Sequence, residues 1–280
     1  SVHGFATTKK AAPAKKGQGF QGVKGAFWII AVCFVLAVCF FKYFLGNADH
    51  INPANGEVID GNMWGTIYKG GVVVPVILTL LFSVIALSIE RGLALNTAFG
   101  KGKLPKFVAN IKAALNANDF VKAQELCDKQ RGSVANVVGA SLRAYKEMEA
   151  VSGIKKAQKV AKIQQAHEEA TQLEMPTLTM NMPIIATIVT LGTLTALFGT
   201  VVGMIRSFAA LAAGGGADSQ ALSLGISEAL VNTASGILTS WVAVVAYNYY
   251  TNKIDKLTFA LDEVGYSIAQ TYEANHTEEA

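Results

Sequence analysis

Two charged residues stand where charges are costly. Arg206 and Glu228 lie inside two long apolar stretches, residues 183–213 and 221–250. A carboxylate or guanidinium at the centre of a membrane-spanning helix costs about 2.5–3.5 kcal/mol on insertion scales. Such residues face a bundle interior or a water-filled route, and they mark ion and proton paths. Hydroxyls accompany them: Thr193, Thr200 and Ser207 recur every seven residues and share one helix face. Glu228, Asn232, Ser235 and Thr239 share a face on the second stretch. Gly199 and Gly203 form a small-xxx-small pair, and Gly236 adds a third small residue on the second stretch. Small residues let helices approach closely, and hydroxyls bond across them. Packing and pore lining are both open for these faces.

Hairpin register constrains the two charges. If the stretches turn back near Ala217, Arg206 and Glu228 each lie eleven residues from the turn and sit at similar depth. Thr200 and Thr233 are then level too, about one and a half turns deeper. Three readings of Glu228 follow: it lines a pore, pairs with Arg206, or reaches an interface. Arg206 either makes that pair or snorkels to the headgroups.

The whole chain must hold these stretches in a membrane, and its composition agrees. The hydrophobic share is 51%, the charged share 16%, and the mean hydropathy +0.35. A soluble domain carries about 25% charged residues. Four apolar blocks predict four transmembrane helices, residues 26–45, 72–89, 183–213 and 221–250. The first is longer than the roughly 7–15 apolar residues of a signal peptide and has no small-x-small cleavage pattern, so it reads as a retained span. The first two spans lack a polar face and read as lipid-facing or peripheral. The last two, about 45 Å long as helices, must tilt or project.

Lysine and arginine placement sets the orientation. Residues 1–25 hold five lysines and no acid, and residues 90–182 hold fourteen Lys/Arg. The loop 46–71 holds a single lysine, and the Gly-rich turn 214–220 has no Lys/Arg. The basic N-terminus, the 90–182 segment and the C-terminal tail 251–280 therefore read as cytoplasmic, and 46–71 and 214–220 as external. The net charge of +4 is spread over several segments and gives no reason to invoke nucleic acid.

The 90–182 segment predicts a helical domain. Asn118 or Asp119 caps a helix that Gly132 ends, and Ser133 caps the next. A strong helix former after Gly153 runs into the third span, with kinks at Pro176 and Pro183. Its single histidine, His167, sits in no two-His metal pattern, Cys127 reads as a packed residue, and no phosphate-binding loop is present. Cys33, Cys39 and Cys127 suggest neither a disulfide framework nor zinc. The fold class is all-α, an integral membrane helical protein with a helical cytoplasmic domain. No cofactor or metal is expected, and no nucleophile–base spacing suggests an enzyme. A structural membrane scaffold, in which the polar faces only pack, is the alternative to a transport role.

The stretches Leu197-Phe198-Gly199-Thr200-Val201-Val202-Gly203, Ser207-Phe208, Gly225-Ile226-Ser227-Glu228-Ala229-Leu230, Thr233-Ala234 with Gly236, and Tyr247-Asn248 resemble the MotA/TolQ/ExbB proton-channel family. Their order and spacing are most similar to the ExbB/TolQ branch over about residues 185–250, roughly a quarter of the chain. The resemblance implies a homopentameric ring in the bacterial inner membrane, with the third and fourth spans around a central pore. It implies an ExbD-like single-span partner in that pore, carrying the protonatable aspartate. A TonB-like energy transducer would take up the work and drive outer-membrane transport. A TolQ-like role in the Tol-Pal system, or a MotA-like or gliding motor role, fits the same resemblance. By motif position Thr200, Glu228 and Thr233 are the pore-facing polar residues. The chain departs from the branch in its extra N-terminal span, in Val242 where proline is common, and in the polar Arg206 and Asn232.

Overall fold

The computed structural model describes residues 19–59, 61–213 and 219–277. Among the described residues the chain is helical, with one antiparallel bridge between Ile51 and Val58. Helix α1 (Ala26–Cys39) continues as a π-helical segment, Phe40–Leu45. Helix α2 (Met63–Tyr68) is short and is capped by Asn62, whose side chain accepts from Trp64 N and Gly65 N. Helix α3 (Val73–Phe99) precedes four helices of a folded domain: α4 (Leu104–Asn116), α5 (Phe120–Gln130), α6 (Gly132–Ala150) and α7 (Lys156–Leu178). Helices α8 (Met182–Ala213) and α9 (Ser219–Asn275) form an antiparallel hairpin. Four helices are long and apolar enough to cross a membrane by length and composition: α1 with its π-helical extension, α3, α8 and α9. Of the expected 214–220 turn, residues 214–218 lie outside the described residues, as do residues 1–18 of the basic N-terminus. We call the 214–218 side of the hairpin its turn end and the opposite side its domain end.

Helix α3 is not peripheral, in contrast to its sequence reading. It lies between α1 and the hairpin and packs on both α8 and α9. The reason sits at its domain end, where Glu90 and Arg91 are buried. Arg91 is fully buried and donates to the carbonyls of Thr177 (3.0 Å) and Leu178 (3.3 Å) at the end of α7. A cation at a helix C-terminus satisfies orphan carbonyls and complements the dipole. Glu90 balances Arg91 and accepts from Val23 N at 2.9 Å. This cluster holds the joint between α7 and α8. Pro176 stays inside α7, and the break falls at Thr179–Asn181, where Asn181 has φ 63. Pro183 then sits in the first turn of α8, where a missing N–H costs nothing.

Asp119 caps α5 by accepting from Lys122 N at 2.9 Å. Ser133 does not cap α6, because that helix begins at Gly132 with Arg131 (φ 58) before it. Gly132 has φ 82, and a Cβ there would sit 2.5 Å from Thr97 O. Only glycine permits so close an approach of the start of α6 to the last turn of α3.

The segment expected as a C-terminal tail is helix as far as Asn275. Helix α9 runs unbroken for 57 residues, about 86 Å. From the last residue of the expected span onward it carries Tyr250, Ile254, Leu257, Leu261, Val264, Ile268 and Tyr272 in the buried core shared with the α4–α7 domain. That 4-3-4 spacing is one helical stripe. Within this core Cys127 is buried, and burial pushes its thiol up to about 12, far from nucleophilic.

His167 of α7 is buried against Gly265 of α9, and its Nδ1 lies 2.7 Å from Ser141 Oγ of α6. Burial lowers its affinity for a proton below the ordinary 6.5, outweighing the opposing pull of Asp262, Leu261 O and Glu168. The unfolded chain therefore binds the proton more readily. Stability from the neutral imidazole is full above about pH 6.5 and falls as pH drops below that value. Unfolding of the domain followed between pH 8 and 5 should show this slope, and His167→Gln should flatten it. An unchanged slope in the variant would assign the acid sensitivity elsewhere.

Candidate functional site

The hairpin seam is built on small residues. Gly192 meets Gly236 and Ser240, Gly199 meets Asn232, and Gly203 meets Gly225 and Ala229. A Cβ on Gly203 would lie 2.7 Å from Ala229 N and Gly225 O, and one on Gly236 would lie 2.6 Å from Gly192 O. The obstacles include backbone, so a hydrogen atom is what fits. This approach sets the register, and the register levels the polar residues.

At the turn end Arg206 Nη1 donates to both carboxylate oxygens of Glu228, at 2.6 and 2.8 Å. The exposures are unequal: the Arg206 side chain is 52% exposed and the Glu228 side chain 6%. About 8 Å deeper, the hydroxyls of Thr200 and Thr233 hydrogen-bond across the seam. Each also lies 2.9 Å from the carbonyl four residues back, Ala196 O and Ala229 O. A hydroxyl has one proton, so one threonine donates to backbone while the other donates across. Deeper still, Thr193 and Ser240 hydroxyls lie 3.0 Å apart, and Ser240 donates to Val189 O at 2.8 Å. Near the turn end Ser207 donates to Leu222 O at 3.2 Å. Thr239 donates to Ser235 O, within its own helix.

The candidate residues form two groups. Five residues separate Glu228 from Thr233, about 140° around the helix, and six separate Arg206 from Thr200, about 120°. The ion pair and the threonine pair thus occupy opposite edges of the seam. The Arg206–Glu228 edge meets the turn that leads into α3. Gly71, at φ 76, lies so close that a Cβ there would be 2.4 Å from Glu228 Oε1 and 3.2 Å from Arg206 Nη1. Asn232 Nδ2 donates to Gly70 O at 3.0 Å. The Thr200–Thr233 edge is half-buried. Of the readings left open for Arg206, the ion pair is the geometry observed. Gly70 and Gly71 escape a sequence search for polar residues, although a Gly-Gly pair ahead of an apolar block signals a tight backbone approach.

Chemically, the hairpin offers a neutral charge pair, a hydroxyl pair with an exchangeable donor direction, and a second hydroxyl pair beyond. None of these groups is an activated nucleophile.

Comparison with known proteins gives a consistent frame. The MotA/TolQ/ExbB proton channel family matches residues 134–263, from α6 into the domain part of α9. The Tol-Pal system protein TolQ of Pseudomonas aeruginosa is 24% identical over 200 residues, 70% of this chain and 86% of that protein. The putative biopolymer transport protein ExbB-like 1 of Synechocystis is 32% identical over 190 residues, 64% of this chain and 66% of that protein. The putative biopolymer transport protein ExbB-like 3 of the same organism is 36% identical over 87 residues, 30% of this chain and 41% of that protein.

Proposed function

This chain belongs to the MotA/TolQ/ExbB proton channel family, and from that premise we propose that it is the ring-forming subunit of a motor driven by the proton-motive force. It is a channel and motor subunit, not an enzyme. It sits in a bacterial inner membrane with both termini in the cytoplasm, as the lysine and arginine distribution supports. Copies form a homopentamer around an ExbD-like single-span partner, and a TonB-like transducer takes up the work to energise outer-membrane transport. Moving one charge through the membrane potential is worth about 2.3 kcal/mol per 100 mV.

The observation that carries this reading is the hydroxyl pair Thr200–Thr233 set below the Arg206–Glu228 pair on one hairpin. Protons pass Thr200 and Thr233, and Glu228 sets the potential at the entrance to that route. Glu228 is already balanced by Arg206, which supports a second chain as the carrier of the titrating carboxylate.

The test is proton flux into vesicles holding the chain with its single-span partner. Replacing both Thr200 and Thr233 by valine should cut flux about tenfold, the loss of roughly one hydrogen-bonded step. An assembled complex with full flux after this change would refute the route. A second reading, a TolQ-like subunit of an envelope system, is favoured by the long alignment with the Pseudomonas aeruginosa protein. The partners recovered with the chain from native membranes separate the two.

A further inference from the structure

We propose that Asn232 is a positioning residue that latches the Gly70–Gly71 turn over Glu228, making this turn a lid on the carboxylate. The functional meaning of the lid rests on the proposed proton route.

The turn rests on one face of α9. A Cβ on Gly70 would sit 2.9 Å from Val231 Cγ1, and one on Gly71 would sit 2.4 Å from Glu228 Oε1 and 3.0 Å from its Cδ. Residue 71 has φ 76 and is glycine, so the backbone presses directly on the carboxylate with no side chain between. Asn232 lies one helical turn after Glu228 on the same face. It is fully buried and donates Nδ2–H to Gly70 O at 3.0 Å, across 162 residues of sequence. The acceptor is a carbonyl, which assigns the nitrogen of the amide to that side. Its Oδ1 makes no hydrogen bond among the described residues, so the Gly70 bond is the polar contact that orients this side chain.

Asn232 also packs in the hairpin seam, where Gly199 faces its Cβ, Cγ and Nδ2, but its bond to Gly70 reaches outside the seam. The glycine seam and hydroxyl pairs join α8 to α9, whereas the latch joins α9 to the turn before α3. A second tie, Gln220 Nε2 to Glu57 Oε1 at 2.6 Å, holds the loop to the beginning of α9. With the latch closed, Glu228 is sealed between Arg206 and the Gly71 backbone. With it open, the carboxylate meets water from the turn end. The latch thus decides whether Glu228 is enclosed or exposed at the entrance to the proposed route.

The experiment uses the full chain in lipid nanodiscs without partner or proton gradient, so its result is independent of flux. Modification of Glu228 by dicyclohexylcarbodiimide is followed by mass, together with hydrogen exchange of the peptide that contains residues 69–74. Asn232→Ala should raise both rates about fivefold to tenfold, as one hydrogen bond in an opening equilibrium would. Asn232→Leu, which keeps the branched shape without the donor, should do the same and serves if the alanine variant fails to fold. Gly71→Ala should also raise modification, and adding Asn232→Ala to it should bring little more. Thr200→Val, on the other edge of the seam, should leave both rates unchanged. Equal modification in native and Asn232→Leu chains would overturn the latch. A rise in Thr200→Val as large as in Asn232→Leu would overturn it too, by showing general loosening. Full flux in the Thr200→Val/Thr233→Val motor complex, with Glu228 still exposed by Asn232→Leu, would count against the proton route alone.

Discussion

Arg206→Ala will destabilise the folded chain by about 3 kcal/mol, the lower end of the cost of leaving a buried charge unpaired. The lower end applies because Arg206 is 52% exposed and already keeps part of its hydration, whereas Glu228 keeps almost none. Removing the cation strands the carboxylate beneath Gly71 with no other charged partner among the described contacts. Glu228→Gln is milder, about 1 kcal/mol, because the remaining guanidinium can snorkel outward. The double variant Arg206→Ala/Glu228→Gln should cost about 2 kcal/mol, less than Arg206→Ala alone, giving a coupling of about 2 kcal/mol in a double-mutant cycle. Unfolding of the detergent-solubilised chain reads this directly, and additive losses would dissolve the pair as an energetic unit. The charge-swapped variant, Arg206→Glu with Glu228→Arg, separates motor from scaffold. A scaffold tolerates the swap. A proton route loses flux, because the charges at its entrance are reversed.

Gly236→Leu will separate the hairpin. A Cβ at this position meets Ala196 Cβ at 2.5 Å and Gly192 O at 2.6 Å, with Ala196 Cα at 3.1 Å. Two of these are backbone atoms, so the helices themselves must move apart. Overpacking costs about 1–3 kcal/mol and more where the backbone must yield. The Thr200–Thr233 and Thr193–Ser240 bonds stretch with it, so folded yield in membranes and proton flux should both collapse. Gly139→Ala is the matched control, since a Cβ there meets its nearest atom, Arg143 Nη1, at an ordinary 3.6 Å. It should be neutral or stabilising by up to about 1 kcal/mol, from helix propensity. Similar losses from both variants would mean that the seam is no tighter than the domain core.

The hairpin was the most legible part of this chain. Spans announce themselves by length, and the register of two helices around a short turn is arithmetic. That arithmetic sets Arg206 level with Glu228 and Thr200 level with Thr233, and both pairs are within hydrogen-bonding distance. The domain half of α9 was legible in principle, through the stripe from Tyr250 to Tyr272. Charged neighbours such as Lys253, Asp255 and Lys256 lower its average hydropathy, so a reading weighted to apolar blocks stops at residue 250. The central place of α3 was masked in the opposite way. Its apolar block looks uniformly lipid-compatible, and its anchors, Glu90 and Arg91, lie just beyond the block's end.

Local periodicity along this chain suffices for which stretches are long and apolar enough to cross a membrane, which residues share a helix face and which lie at equal depth, because those follow from 1.5 Å of rise and 100° of turn per residue. The division of the polar residues between two edges of the seam, and the choice of an ion pair for Glu228, depend on what lies across from each edge. For Glu228 that neighbour is Gly71, and for Asn232 it is Gly70. These contacts join segments more than 150 residues apart, and no local rule couples them. They exist because α3, anchored by Arg91 at its domain end, delivers its first turn to the hairpin, and because glycine there leaves the backbone free to close on a carboxylate.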